Sequence, residues 1–106
     1  MEEKKYLIIA LRYWGNSENV LFWGKNSSGY YTDLSKVGLY TKEEAVSKSK
    51  HGDCYINMDT LGITEEMLNF SHESVKMVFP KNTKICKYAN TFEQIMKNKR
   101  NLKYGA

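Results

Sequence analysis

Residues 20–45 constrain the fold more than any other stretch, because three reversals of direction are written into them. Val20-Leu21-Phe22-Trp23 has the β-branched and aromatic character of a strand. Asn26-Ser27-Ser28-Gly29 follows as a tight turn, with Gly29 able to take the positive φ that a hairpin corner demands. Tyr30-Tyr31-Thr32 returns as the paired strand. After the polar step through Gly38, Thr41 opens a helix with Glu44 three residues on. That is capping-box spacing, in which the hydroxyl takes one orphan amide and the carboxylate reaches back to the other. Five of the fourteen aromatic residues fall between Phe22 and Ala45.

The rest of the chain is read around this stretch. Lys5 to Tyr13 is nearly continuous in apolar character and predicts a central strand covered on both faces. With the hairpin that follows, it makes a three-stranded antiparallel meander. The Thr41 helix is short and stops before His51-Gly52-Asp53, and Cys54 to Met58 reads as a further strand. A second helix starts at Thr64, with Ile63 and Leu68 at hydrophobic-staple spacing and Ile63, Met67 and Phe70 on one face. Val75 to Phe79 alternates and reads as a strand ended or edged by Pro80, and Thr83 to Tyr88 as another. A last helix is expected from Thr91 to Lys103, capped by Asn90, with Phe92, Ile95, Met96 and Leu102 as its buried stripe. The expected architecture is α+β: one compact domain over residues 1–106, an antiparallel sheet with about three helices packed on one face.

At 106 residues, 42% hydrophobic and 26% charged with one proline, the chain can build one core without metal or disulfide support. Two cysteines, Cys54 and Cys86, are too few for a secreted disulfide scaffold and read as reduced thiols. The acidic start before a short apolar run is unlike a signal peptide. The run from Tyr6 to Leu11 falls far short of the roughly 20 residues that cross a bilayer. The net charge of +4 is unevenly spread. Residues 1–40 carry five bases and four acids, 41–73 three bases and seven acids, and 74–106 eight bases and one acid. A basic end on an acidic middle suits an anionic partner, and equally suits mutual compensation on folding.

The motif Phe22-Trp23-Gly24-Lys25-Asn26-Ser27-Ser28-Gly29-Tyr30, then Leu34, then Gly38-Leu39-Tyr40-Thr41-Lys42-Glu43-Glu44, resembles a group of small proteins encoded by bacteriophages and prophages. Val78-Phe79-Pro80-Lys81-Asn82-Thr83 is similar to that group's second landmark. The resemblance implies a mobile-element accessory protein of the bacterial cytoplasm, without catalytic activity or cofactor. Its implied task is to inhibit a host process, such as a defence system, by occluding a host protein or sequestering a small nucleotide-like ligand.

Two sets of residues are candidates for binding. Trp23, Tyr30, Tyr31 and Tyr40 can line a pocket for a flat ligand, with Asn26 and Asp33 supplying hydrogen bonds; the same aromatics equally serve as core and cross-strand pairs. Lys81, Lys84, Lys87, Lys97, Lys99, Arg100 and Lys103 can form a phosphate-binding surface for nucleic acid, or simply a solvated face. His51-x-x-Cys54 is half of a zinc site with no compact second half, and His72 stands apart. Neither cysteine is flanked as a nucleophile would be, and the scattered carboxylates, Asp53 among them, sit where caps and turns explain them. No catalytic residue, metal or cofactor is expected.

Overall fold

In the computed structural model, which describes residues 3–15, 17–49, 52–70 and 75–91, the chain is built on a four-stranded antiparallel sheet. Its strands are β1 (Tyr6–Ile9), β2 (Phe22–Trp23), β3 (Tyr30–Tyr31) and β4 (Cys54–Asn57), in the spatial order β3-β2-β1-β4. The expected meander is the β3-β2-β1 half. β4 comes back to the other side of β1 and pairs along its whole length, from Tyr6 opposite Asn57 to Ile9 opposite Cys54.

Side chains alternate across a strand, so this register fixes two faces. Leu7, Ile9, Phe22, Cys54 and Ile56 belong to one core cluster, together with Leu34, Val37, Met58, Ile63, Leu68 and Ile85. Three helical pieces supply that cover: α3 (Met58–Leu61), α4 (Glu65–Leu68) and a helix, α5, over 83–91. The opposite face carries Ile8, with Tyr6, Trp23 and Tyr55 around it, and is covered by Tyr40 and by Ala45 of α2 (Lys42–Lys48). Leu7, Ile8, Ile9 and Ala10 are therefore all fully buried. Burying each of the Leu7, Ile8 and Ile9 side chains contributes about 1.5–3 kcal/mol of transfer free energy.

The capping box forms as the sequence predicts. Thr41 Oγ1 accepts from the Glu44 amide at 3.1 Å and Glu44 Oε1 from the Thr41 amide at 3.0 Å. Thr64 caps α4 by accepting from the Met67 amide, and Ile63 and Leu68 are both buried. The helix is one turn long.

Three expectations are corrected. β1 ends at Ile9, and Leu11–Trp14 turns into a short helix, α1, instead of continuing as strand to Tyr13. Continuing it would carry Arg12 onto the same covered face as Ile8. Val75 to Phe79 forms no strand. Its carbonyls bond to two different segments, Phe79 to the Val20 amide at 2.8 Å and Met77 to the Leu34 amide at 2.9 Å, so no continuous ladder develops. Thr83 to Tyr88 is helical, because Asn82 Oδ1 accepts from the Ile85 amide at 2.9 Å and caps α5, while Ile85 and Ala89 turn inward one helical turn apart. Asn90 consequently lies inside that helix and does not cap a later one. The remainder of the expected last helix, and with it Lys97, Lys99, Arg100 and Lys103, lies outside the described residues, as do His51 and His72.

Candidate functional site

Pairing of Trp23 with Tyr30 across β2 and β3 places both rings on the Ile8 face, where they meet edge to face at 6.0 Å. The turn of α1 brings Tyr13 over the same place, its ring 4.7 Å from that of Tyr30. Tyr13 is 56% exposed and Tyr30 39%. Arg12, next to Tyr13, lies with its guanidinium carbon 5.2 Å from the Tyr13 ring centre. The result is one surface of two tyrosines, a tryptophan and an arginine.

Asp53, one residue before β4, sits beneath this surface and is only 2% exposed. A buried carboxylate is costly unless it is paired and hydrogen-bonded. Here Oδ2 accepts from Arg12 Nη2 at 3.1 Å and from Trp23 Nε1 at 3.0 Å, while Oδ1 accepts from Arg12 Nε and the Arg12 amide, each at 3.4 Å. One side chain thus ties α1, β2 and the start of β4 together. The hydrogen bond and charge of Asp53 raise the Arg12 pKa further above its already high value. Burial pushes the Tyr30 phenol above its ordinary value, and the neighbouring Tyr13 adds to the shift. The Tyr30 phenol therefore stays neutral at physiological pH, and the surface carries a cation, hydroxyls and ring faces.

The sequence candidates are only partly brought together. Trp23 and Tyr30 are neighbours, and Tyr31 points to the other face of the hairpin, opposite Phe22. Tyr40 is core, 3% exposed, and its hydroxyl is committed: it donates to the Gly24 carbonyl and accepts from the Ser27 amide. Its ring offers no open stacking face beside Trp23. Asn26 lies at the hairpin tip, in a short 3-10 turn over Lys25–Ser27 where Asn26 and Ser27 both adopt positive φ (53° and 60°) and Gly29 takes φ 134°. Asp33 caps the next turn, accepting from the amide and hydroxyl of Ser35, and that hydroxyl above all holds its pKa below the ordinary value. Lys84 and Lys87 are exposed on α5, whose Ile85 packs on the face opposite Trp23.

Gly24 and Gly38 explain the close approach of the hairpin to the segment before α2. A β-carbon on Gly38 would stand 2.7 Å from the Gly24 carbonyl oxygen and 2.8 Å from Lys25 Cα. Cys54 is a core residue of β4 and Cys86 is half-buried on α5. Among the described residues no three His, Cys, Asp or Glu side chains gather as metal ligands, and no helix is long and apolar enough to cross a membrane. Arg12, Tyr13 and Asp53 were not legible as a site, because Arg12 meets Asp53 41 positions along the chain and Tyr13 meets Tyr30 from a separate element. The one local signal is the Arg-Tyr-Trp run at the end of an apolar strand. Compared with protein-family models, curated proteins and solved structures, the chain finds no match, and the reading of this surface rests on its own residues.

Proposed function

We propose that this chain is a non-enzymatic binding protein that acts by occluding the surface of a partner protein, with Tyr13, Tyr30, Trp23 and Arg12 as its anchors. The observation that carries this reading is the exposed Tyr13–Tyr30 pair standing on Trp23 and Arg12, both fixed from below by the buried carboxylate of Asp53. Tyr, Trp and Arg are the residue types that dominate binding energy at protein interfaces. Holding them in place before binding lowers the ordering cost of association. A domain of this size can offer the roughly 800 Å² per partner of a standard interface. The resemblance to small phage and prophage proteins supplies a setting, inhibition of a bacterial host process such as a defence system.

Native mass spectrometry on the protein gently purified from a bacterial host tests this. A host protein at fixed stoichiometry should accompany the wild type and the Lys84→Ala/Lys87→Ala variant, and be lost from Tyr13→Ala/Tyr30→Ala while circular dichroism shows the fold intact. Retention of that partner by the tyrosine variant overturns the reading. Nucleic acid in place of a protein, released between low and physiological salt, would favour the alternative of phosphate binding by the lysines.

A further inference from the structure

We propose a second site, for a small organic anion, in the cleft between the hairpin tip, the 37–40 segment and the end of α4. The ligand class is a phosphate or carboxylate head on a compact apolar body. This site shares no residue with the Tyr13–Tyr30 surface and stands independently of the function proposed for it.

The cleft has a volume of about 300 Å³, and Lys4, Lys25, Asn26, Leu39, Glu44 and Asn69 are among the residues lining it. That volume is at the lower end of small-molecule sites, which combine an apolar floor with a few placed polar groups. Leu39 and Leu68 provide apolar floor. The polar groups lean to positive charge. Glu44, the acidic side chain of the lining, has its Oε1 committed to the Thr41 amide, a bond that holds its pKa below the ordinary value, so it is ionised at neutral pH. Against it stand two ammonium groups, and among the described residues Lys25 makes no ion pair. A lysine acts on a phosphate or carboxylate as a mobile point charge. The side-chain carboxamides of Asn26 and Asn69 likewise make no hydrogen bond among the described residues, and each can donate to an anion's oxygens.

The backbone beside the cleft makes a left-handed turn. Asn26 and Ser27 both lie in the left-handed region, which asparagine tolerates and serine enters less readily. The Tyr40 hydroxyl accepts from the Ser27 amide at 3.1 Å and Lys48 Nζ donates to Ser27 Oγ at 3.1 Å, so α2 and its lead-in segment clamp the turn. Asparagine at 26 suits this turn and also lines the cleft.

The test is an NMR titration of the full chain at 0.15 M salt with phenyl phosphate and, separately, benzoate. Saturable shifts confined to Lys25, Asn26, Gly38, Leu39 and Asn69 are expected with at least one probe, and the effective probe identifies the head group. Lys25→Ala should weaken that binding at least fivefold, while Tyr13→Ala/Tyr30→Ala leaves it unchanged. Lys25 is exposed, so its truncation does not threaten the fold. The proposal is overturned if neither probe saturates, if shifts spread over every exposed lysine including Lys84 and Lys87, if Lys25→Ala binds as the wild type does, or if neutral phenol binds equally well.

Discussion

Replacing Asp53 by asparagine keeps the size and shape of the side chain and removes its charge and one acceptor. The carboxylate receives Trp23 Nε1 and Arg12 Nη2 on one oxygen, and Arg12 Nε with the Arg12 amide on the other. An asparagine has a single oxygen, so in either orientation its NH2 group faces donors. If the oxygen serves Trp23, the NH2 opposes the Arg12 amide; if flipped, it opposes the indole. Breaking a fully buried ion pair typically costs 3–5 kcal/mol because a bare charge is left behind. Here the stranded charge is that of Arg12, whose side chain is 39% exposed and can turn to water, so that part of the penalty is largely relieved. What remains is the loss of charge-assisted bonds at a half-buried indole and a main-chain amide, about 2 kcal/mol in all. For a domain near 100 residues that lowers the melting temperature by roughly 8–16 °C. Urea unfolding followed by circular dichroism should show a lower midpoint with an unchanged m-value. Arg12→Ala and Asp53→Asn should also be clearly non-additive when combined, since each removes the other's partner. A loss under 0.5 kcal/mol, or strict additivity, would refute the view that Asp53 is the anchor of the aromatic surface.

Tyr40→Phe removes a hydroxyl that both donates to Gly24 and accepts from Ser27, and should cost about 1–2 kcal/mol in chemical denaturation. An unchanged midpoint would mean that the left-handed turn holds without it. Gly38→Ala should cost about 1–3 kcal/mol, because the new methyl meets backbone rather than a side chain that can swing away; wild-type stability would contradict the close approach. Asp33 and Glu44 both have folded pKa values held below their unfolded ones, by the Ser35 hydroxyl and the Thr41 amide respectively. Their contribution is complete above the unfolded carboxylate range near pH 4 and is lost as pH falls through the lower folded values. The acid limb of the stability profile should therefore be shallower in Asp33→Asn/Glu44→Gln than in the wild type.

What could be read from the sequence follows the range of each interaction. The Thr41–Glu44 box, the Thr64 cap and the Gly29 corner depend on residues within a few positions of one another, and all form. The hydrophobic strand at Tyr6–Ile9 was legible because both faces are covered. Val75 to Phe79 alternates without a strand, since its carbonyls bond to two separate segments, at Val20 and at Leu34, and no ladder runs along one neighbour. The helix over 83–91 was hidden by its β-branched and aromatic residues, although the inward pair Ile85 and Ala89 has helical spacing and Asn82 supplies the cap. For the candidate site, Trp23 and Tyr30 follow from hairpin register, but nothing local marks Asp53 as buried. It reads as one more turn acid until Arg12 and Trp23 arrive from elsewhere in the chain.

The position of β1 also bears on the time course of folding. Among the described strands β1 comes first in the chain and lies inside the sheet, while its full-length partner, β4, follows only after β2, β3 and α2. The β2–β3 hairpin can close within microseconds of its own appearance, whereas β1 must wait for a distant segment before its open side is paired. Throughout that interval Leu7-Ile8-Ile9-Ala10 is an uncovered apolar strand, free to pair with the same segment of another nascent chain. Refolding yield should consequently fall with protein concentration far more steeply than native stability suggests, and a charge placed in β1 should trade yield against the core it interrupts.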